Sequence, residues 1–330
     1  MKIVIPGGTG QVGTVLARAF HGSGHEVVVL SRRPQPEAWS VIAWDGRTVG
    51  DWANAINGAD VVVNLAGRSV NCRYTPANRR EILESRILST QVVGHVIAGA
   101  DKAPALWLQA STATIYAHRY DADNDEASGI IGGGEPDVPG VWDFSIDVAR
   151  AWERTFNEAA TPRTRKIALR SAMTMTPYPG ANGIFDTLMW LVRNGLGGSA
   201  GGGQQFMSWV HHRDFVRSLL WLIERDDIEG IVNIASPHPL PNAEFMRVLR
   251  EVAGRRFGLP ATKWMLEAGA VFLRTETELI LKSRRVVPGR LLASGFTFDY
   301  PYWSDAARDI YDDWKSIRAR SAHAASNCIA

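Results

Sequence analysis

Short apolar runs and amphipathic stretches alternate along the first half of the chain. KIVIP at 2–6, EVVVL at 26–30, SVIAW at 40–44, DVVVNLAG at 60–67, ALWLQAS at 105–111 and KIALRSAM at 166–173 are nearly continuous apolar runs. Such runs suit parallel strands covered by helices on both faces. Helical periodicity between them predicts helices over 11–22, 78–99 and 144–159. The expected fold is α/β, a doubly wound parallel sheet with a smaller, mostly helical C-terminal lobe.

After residue 173 the rhythm changes. A helix over 183–194 runs into GLGGSAGGG, then SWVHHRDF, a helix to 224 and a last strand, GIVNIAS, at 230–236. Residues 1–173 with 210–236 therefore form the expected nucleotide-binding domain. Segments 174–209 and 237–305 form the substrate lobe, and 306–330 a helix end with a loose tail. A substrate cleft is expected between the lobes, where the strands end.

The first strand leads into GGTGQVG. Gly7, Gly10 and Gly13 stand at the places where a tight turn, close approach to a pyrophosphate and close strand–helix packing each call for a missing side chain. Thr9, Gln11 and Val12 complete this loop, and the following helix offers N–H donors to phosphate. At the end of the second strand, where an acidic residue would hold the ribose of NAD, stand Ser31, Arg32 and Arg33. Two guanidinium groups there favour the 2'-phosphate of NADP(H). DVVVNLAG ends in small residues, which lets the backbone at Leu65, Ala66 and Gly67 pass beneath an adenine or ribose, or serves packing alone. Ala110 joins these cofactor candidates.

Composition narrows the partners. The 330 residues, 45% hydrophobic, carry 36 basic and 34 acidic side chains, a formal charge of +2 that argues for neither nucleic acid nor a membrane surface. No apolar run approaches the roughly 18 residues of a membrane span. Two cysteines, Cys72 and Cys328, without paired spacing suggest a reducing, cytoplasmic setting and no thiolate metal site. A small-molecule substrate is the expected partner, and a homodimer is allowed for. The twelve tryptophans, Trp39, Trp44, Trp52, Trp107 and Trp142 among them, are read as packing residues.

GGTGQVG, NLAG, the strand ending in Ser111 and the LR at 169–170 resemble the short-chain dehydrogenase/reductase superfamily, extended branch. SRILST at 85–90, WE at 152–153, GGGQQFMSWVHHRD at 201–214 and VVPGRLLASGFTFDYP at 286–301 are similar to an atypical, epimerase-like subfamily with its own short C-terminal domain. The resemblance covers about residues 1–305. It implies a Rossmann-like fold and NADP(H) binding, with an oxidoreductase or epimerase-like activity on a carbonyl or nucleotide-sugar-like molecule.

In catalytic relatives a Tyr and a Lys one helical turn later move the proton. With Glu153 fixing the register, those places hold Ser145 and Ala149. The substrate-carbonyl hydroxyl of the superfamily matches Ser111, and Tyr116 in ASTATIY is the best-placed phenol for acid/base work. Thr112, Gln205, Trp209 and His211 are candidate substrate contacts, and the stretch with His211, His212 and Asp214 reads either as structural or as lining the cleft beside Trp209 and Gln205. His211, His212 and Asp214 do not have the spacing of a metal site. GGSAG at 197–201 lacks the strand–turn–helix setting of a nucleophile elbow, and DADND at 121–125 reads as a solvated acidic loop. The vacant Tyr–Lys pair leaves an alternative open: a non-catalytic NADP(H)-binding protein that presents a surface to a protein partner.

Overall fold

The computed structural model describes residues 1–136, 138–178, 183–262, 264–266 and 276–327, the last few as backbone alone. Seven strands form one sheet: β1 (Lys2–Pro6), β2 (Glu26–Ser31), β3 (Ser40–Ala43), β4 (Val61–Asn64), β5 (Leu106–Thr112), β6 (Arg165–Ser171) and β10 (Gly230–Ile234). Their spatial order is β10-β6-β5-β4-β1-β2-β3, parallel at every pairing. The chain leaves β1 toward β2 on one side and returns to β4 on the other. The strand order therefore reverses beside β1, the place where a doubly wound sheet opens a crevice for ligands.

Helices α1 (Gln11–Gly22) and α6 (His212–Glu224) cover one face, and α3 (Pro76–Gly99) and α4 (Asp143–Glu158) the other. Ile3, Ile5, Val29 and Leu108 point to the first layer, Val4, Leu30, Val62 and Trp107 to the second. That alternation explains the continuous apolar runs, because each strand has two buried faces. Trp44, Trp52, Trp107 and Trp142 are buried, in keeping with their reading as packing residues.

A second core lies in the C-terminal lobe. There β7 (Met173–Met175) pairs with β9 (Trp209–His211), and β8 (Phe206–Met207) pairs with β11 (Leu240–Pro241). Helices α5 (Ile184–Arg193), α7 (Asn242–Val252) and α10 (Trp303–Asn327) enclose Phe185, Met189, Trp209, Phe245 and Trp303. Two boundaries differ from expectation. Helix α10 continues to Asn327, where a loose tail was expected from about residue 319, while Cys328 lies outside the described residues. The segment around α9 (Gly289–Ala293) packs Leu291 and Phe296 into the core of the main sheet instead of the small lobe. The acidic loop at 121–125 is also anchored: Asn124 is fully buried and exchanges backbone hydrogen bonds with Arg285 and Val287.

One buried ion pair ties α4 to the sheet. Arg170 on β6 donates from Nε and Nη2 to the two carboxylate oxygens of Glu153 at 2.8 and 2.7 Å, and Ser111 on β5 donates to the same carboxylate at 2.6 Å. Removing one partner of such a pair strands a charge in the interior. We expect Glu153→Gln to lower the free energy of unfolding by about 3–5 kcal/mol, read from the shift in the urea midpoint at unchanged m-value.

Candidate functional site

The turn after β1 is built by glycines with different duties. Gly7 has φ +75°, and a Cβ there would stand 2.7 Å from the Ala66 Cα, so the turn at β1 and the end of β4 touch backbone to backbone. A Cβ on Gly13 would lie 2.5 Å from Gly8 Cα, and one on Gly8 2.9 Å from the Ile5 carbonyl oxygen. Gly10 differs: its nearest neighbour would be Gly7 O at 3.8 Å. Gly7, Gly8 and Gly13 thus pack the protein against itself, whereas Gly10 leaves an open lane over the start of α1. No side chain caps that helix and no acidic residue stands in its first turn, so its N–H groups face the lane.

Around this loop the other candidates assemble. Thr9 Oγ1 and Ser31 Oγ are 3.3 Å apart, and Ser31 Oγ accepts from Arg33 N at 3.1 Å. With Arg32 and Arg33 they line a cleft of about 430 Å³. Both arginines are exposed, and neither forms an ion pair with a carboxylate among the described residues. Leu65 N donates to Pro6 O at 2.9 Å and Ala66 N to Asn64 Oδ1 at 3.1 Å, which fixes the backbone at Leu65 and Ala66 beside the glycine turn. Gln11 reaches the C-terminal half through Nε2 and Tyr178 O at 3.3 Å. Ala110, near the end of β5, is half-buried. The donor set and the open lane at Gly10 match what a dinucleotide with an extra phosphate needs.

The expected acid/base residues are engaged elsewhere. Tyr116 is 2% exposed, and its hydroxyl donates to Asn233 Oδ1 at 2.9 Å while the Arg170 guanidinium lies over its ring. Burial raises the pKa of the phenol further. Ser111 faces the Glu153–Arg170 pair, because side chains alternate along a strand and Thr112 takes the opposite side. Thr112 is the half-buried hydroxyl at this end of β5, with its oxygen accepting from Thr114 N. The hydroxyls of Ser111 and Tyr116, expected from the sequence at the substrate carbonyl, are thus both engaged in interior hydrogen bonds.

Three expected substrate contacts also lie in the interior. Gln205 donates to Ala200 O and Ile280 O, and Trp209 is fully buried against Trp303. His211 is fully buried between Arg213 N, which donates to Nδ1, and Asp309, which meets Nε2 at 3.1 Å. Burial holds its imidazole down at about 2, so it stays neutral. WVHHRD builds the C-terminal core instead of lining a cleft.

The vacated Tyr–Lys positions have different fates. Ala149 is fully buried among Ala113, Ala235 and Val286, so packing has closed the lysine's place. Ser145 remains half-buried, and its hydroxyl donates to Glu278 Oε2 at 2.6 Å. Glu278 opens the short helix α8 (Glu278–Leu281). Tyr74, from the loop after β4, brings its hydroxyl within 3.4 Å of Ser145 Oγ and stacks edge-on against Phe144. Lys282 Nζ donates to Thr114 O at 2.7 Å, and Arg284 Nε to Thr114 Oγ1 at 3.2 Å, both on the 3₁₀ turn that follows β5. Sequence reading missed Tyr74, Glu278, Lys282 and Arg284, since ETELILKSRR reads as an ordinary charged helix and Tyr74 sits in no motif.

A further, half-buried cation stands beside Gly67. The Arg86 guanidinium lies against Gly67 and over the Trp152 ring, donating to Arg68 O and Ile82 O; burial pulls its pKa down to about 10. The SRILST stretch supplies it, although only the resemblance drew attention there. Among the described residues no helix is long and apolar enough to cross a membrane.

Comparison with known proteins agrees with this architecture. Residues 3–131 match the NAD dependent epimerase/dehydratase family, and residues 261–310 match a domain of unknown function, DUF1731. Epimerase family protein SDR39U1 of Bos taurus is 32% identical over 316 residues, covering 94% of this chain and 99% of the relative; its Homo sapiens counterpart is 30% identical over 315. The crystal structure of human SDR39U1 with NADPH superposes with a TM-score of 0.81 at 29% identity, over 94% of this chain and 99% of that one. A nucleoside-diphosphate sugar epimerase from Corynebacterium glutamicum gives 0.71 at 25% identity, over 96% and 61%. The parallel sheet, the glycine turn and the C-terminal lobe that closes on Ser145 thus occur together, and the chain belongs to the epimerase family of SDR39U1.

Proposed function

We propose that this chain is a cytoplasmic NADP(H)-dependent oxidoreductase, epimerase-like in build, that acts on a small carbonyl or nucleotide-sugar-like molecule. The observation that carries the cofactor half is the cleft at Thr9, Ser31, Arg32 and Arg33, where two cations with no carboxylate partner among the described residues stand at the end of β2. A 2'-phosphate pairs with such a group, and a bare ribose hydroxyl does not. The NADPH bound to human SDR39U1 supports the same assignment. Gly10 and the N–H groups of α1 would hold the pyrophosphate, Leu65, Ala66 and Gly67 the adenosine side or the ribose. Bound there, the cofactor supplies a hydride for transfer to a carbonyl carbon.

The substrate half rests on position. Thr112 ends β5, and Tyr74, from the loop after β4, meets Ser145; β4 and β5 lie across β1 from the arginines, so a dinucleotide lying along the strand ends would extend its reactive ring toward that side. Of the residues first expected to move a proton, Tyr116 holds the fold together in this reading. Without its hydroxyl, the oxygen of Asn233 loses its donor. Tyr116→Phe is expected to cost about 1–3 kcal/mol of stability and to leave NADPH binding unchanged, as measured by urea unfolding and fluorescence titration.

Fluorescence titration also tests the arginines. The Arg32→Ala, Arg33→Ala double variant should weaken NADPH binding roughly tenfold to a hundredfold, as loss of charge-assisted hydrogen bonds implies, and leave NADH binding nearly unchanged. Equal weakening for both cofactors would remove the 2'-phosphate from the argument. Tight NADPH binding without turnover of any carbonyl or nucleotide sugar would favour a non-catalytic binding protein.

A further inference from the structure

The place of the superfamily's phenol is occupied by a hydroxyl, and the small lobe delivers a carboxylate onto it. Ser145 Oγ lies 2.6 Å from Glu278 Oε2 and 3.4 Å from the Tyr74 hydroxyl. The other carboxylate oxygen, Glu278 Oε1, is buried and has no hydrogen-bond donor among the described residues; its nearest cation is Lys282 Nζ at 3.9 Å. Glu278 and Lys282 are 1% and 0% exposed, Tyr74 is 8% exposed, and Ser145 is half-buried. A proton exchanged between substrate and this cluster therefore passes through Ser145.

We propose that Ser145 is the acid/base hydroxyl of the site and that Glu278, acting through it from the C-terminal lobe, receives and returns its proton. The proposal rests on the NADP(H)-dependent reading above. In carbonyl reduction, the Ser145 O–H bond breaks as its proton joins the carbonyl oxygen of the substrate, while the carbonyl carbon gains the hydride. Protonated Glu278 gives its proton to Ser145 Oγ, and the carboxylate left behind regains one from water. In alcohol oxidation the same bonds form and break in reverse, and Ser145 donates to the carboxylate as it does in the structure. Serine is a weak acid by itself, so a carboxyl in direct contact is what makes the exchange workable.

The surroundings suit that task. Burial raises the Glu278 pKa, opposed by Arg284, by the Ser145 hydrogen bond and by Lys282, and assisted by Glu276. Burial brings Lys282 down to about 8, with Glu278, Glu135 and Asp143 as its acidic neighbours and Arg284 as a like charge. Glu276 faces Arg73 at 3.4 Å and accepts from Tyr74 N at 2.7 Å. Tyr74 is pushed up to about 12 by burial, which keeps it a protonated neighbour of Ser145 across the working range.

The test uses the full chain, with phenanthrenequinone and nitrobenzaldehyde as carbonyl probes and NADPH oxidation as the rate. Ser145→Ala and Glu278→Gln should each reduce the rate by about a hundredfold or more, the usual size of an acid/base contribution. Glu278→Asp should recover part of it, and fluorescence titration should show NADPH binding retained in all three. The wild-type rate should fall as pH rises through the elevated Glu278 pKa, and that limb should be absent from Glu278→Gln. In the cofactor-free protein, an infrared band of a protonated carboxyl should vanish in Glu278→Gln and shift in Ser145→Ala. Where Glu278→Gln unfolds, Ser145→Ala and Glu278→Asp carry the result. A wild-type rate in Ser145→Ala, a pH limb that survives in Glu278→Gln, or a wild type that binds NADPH and reduces neither probe would overturn the proposal. Failure of the wild type to bind NADPH would instead overturn the functional reading beneath it.

Discussion

The Glu153–Arg170 pair is the constraint from which the rest of the site follows. It joins α4 to β6, takes the Ser111 hydroxyl from β5, and sets Arg170 over the ring of Tyr116. Two hydroxyls that stand close to the strand ends in sequence are thereby committed to the interior. The same pair fixes how far along α4 each residue stands, and so brings Ser145, two turns before Glu153, to the mouth of the sheet. Of the two vacated positions, Ala149 is sealed by packing, while Ser145 stays half-buried and meets Glu278 from another element.

Much of the main sheet was legible in the chain, because buried parallel strands need apolar side chains on both faces and leave continuous runs. The helices expected at 11–22, 78–99 and 144–159 occur within two residues of those limits. The glycine turn was legible for a related reason: a missing side chain is a local signal of close approach. What local pattern could not carry is direction. Ser111 and Thr112 are neighbours in sequence, yet strand alternation sends one to a buried carboxylate and the other to the strand end. His211 and Trp209 read equally well as cleft wall or as structure, and only the tertiary contacts with Asp309 and Trp303 show that they are buried.

The Tyr74, Ser145 and Glu278 grouping was invisible for a stronger reason. Its members lie 71 and 133 residues apart along the chain and meet only when the small lobe folds back over β5. Lys282 and Arg284 secure that fold-back by binding Thr114, one through its carbonyl and one through its hydroxyl. Ser145 is therefore held from the same segment that Lys282 and Arg284 tie to the turn after β5.

Stability alone is a poor reason for this cluster. Taking carboxylates and cations out of water costs several kcal/mol per ion, and well-packed apolar residues often serve a fold better. Glu278, Lys282 and Arg284 are all nearly inaccessible, with one carboxylate oxygen left without a donor among the described residues. The Glu153–Arg170 pair shows what a structural arrangement in this protein looks like: both carboxylate oxygens are satisfied, one of them twice. Glu278 has one oxygen on Ser145 and the other at 3.9 Å from a lysine whose own proton is loosened by burial. An arrangement that fixes charge satisfies every lone pair it can reach, and one that must gain and lose a proton keeps a site where the proton can go.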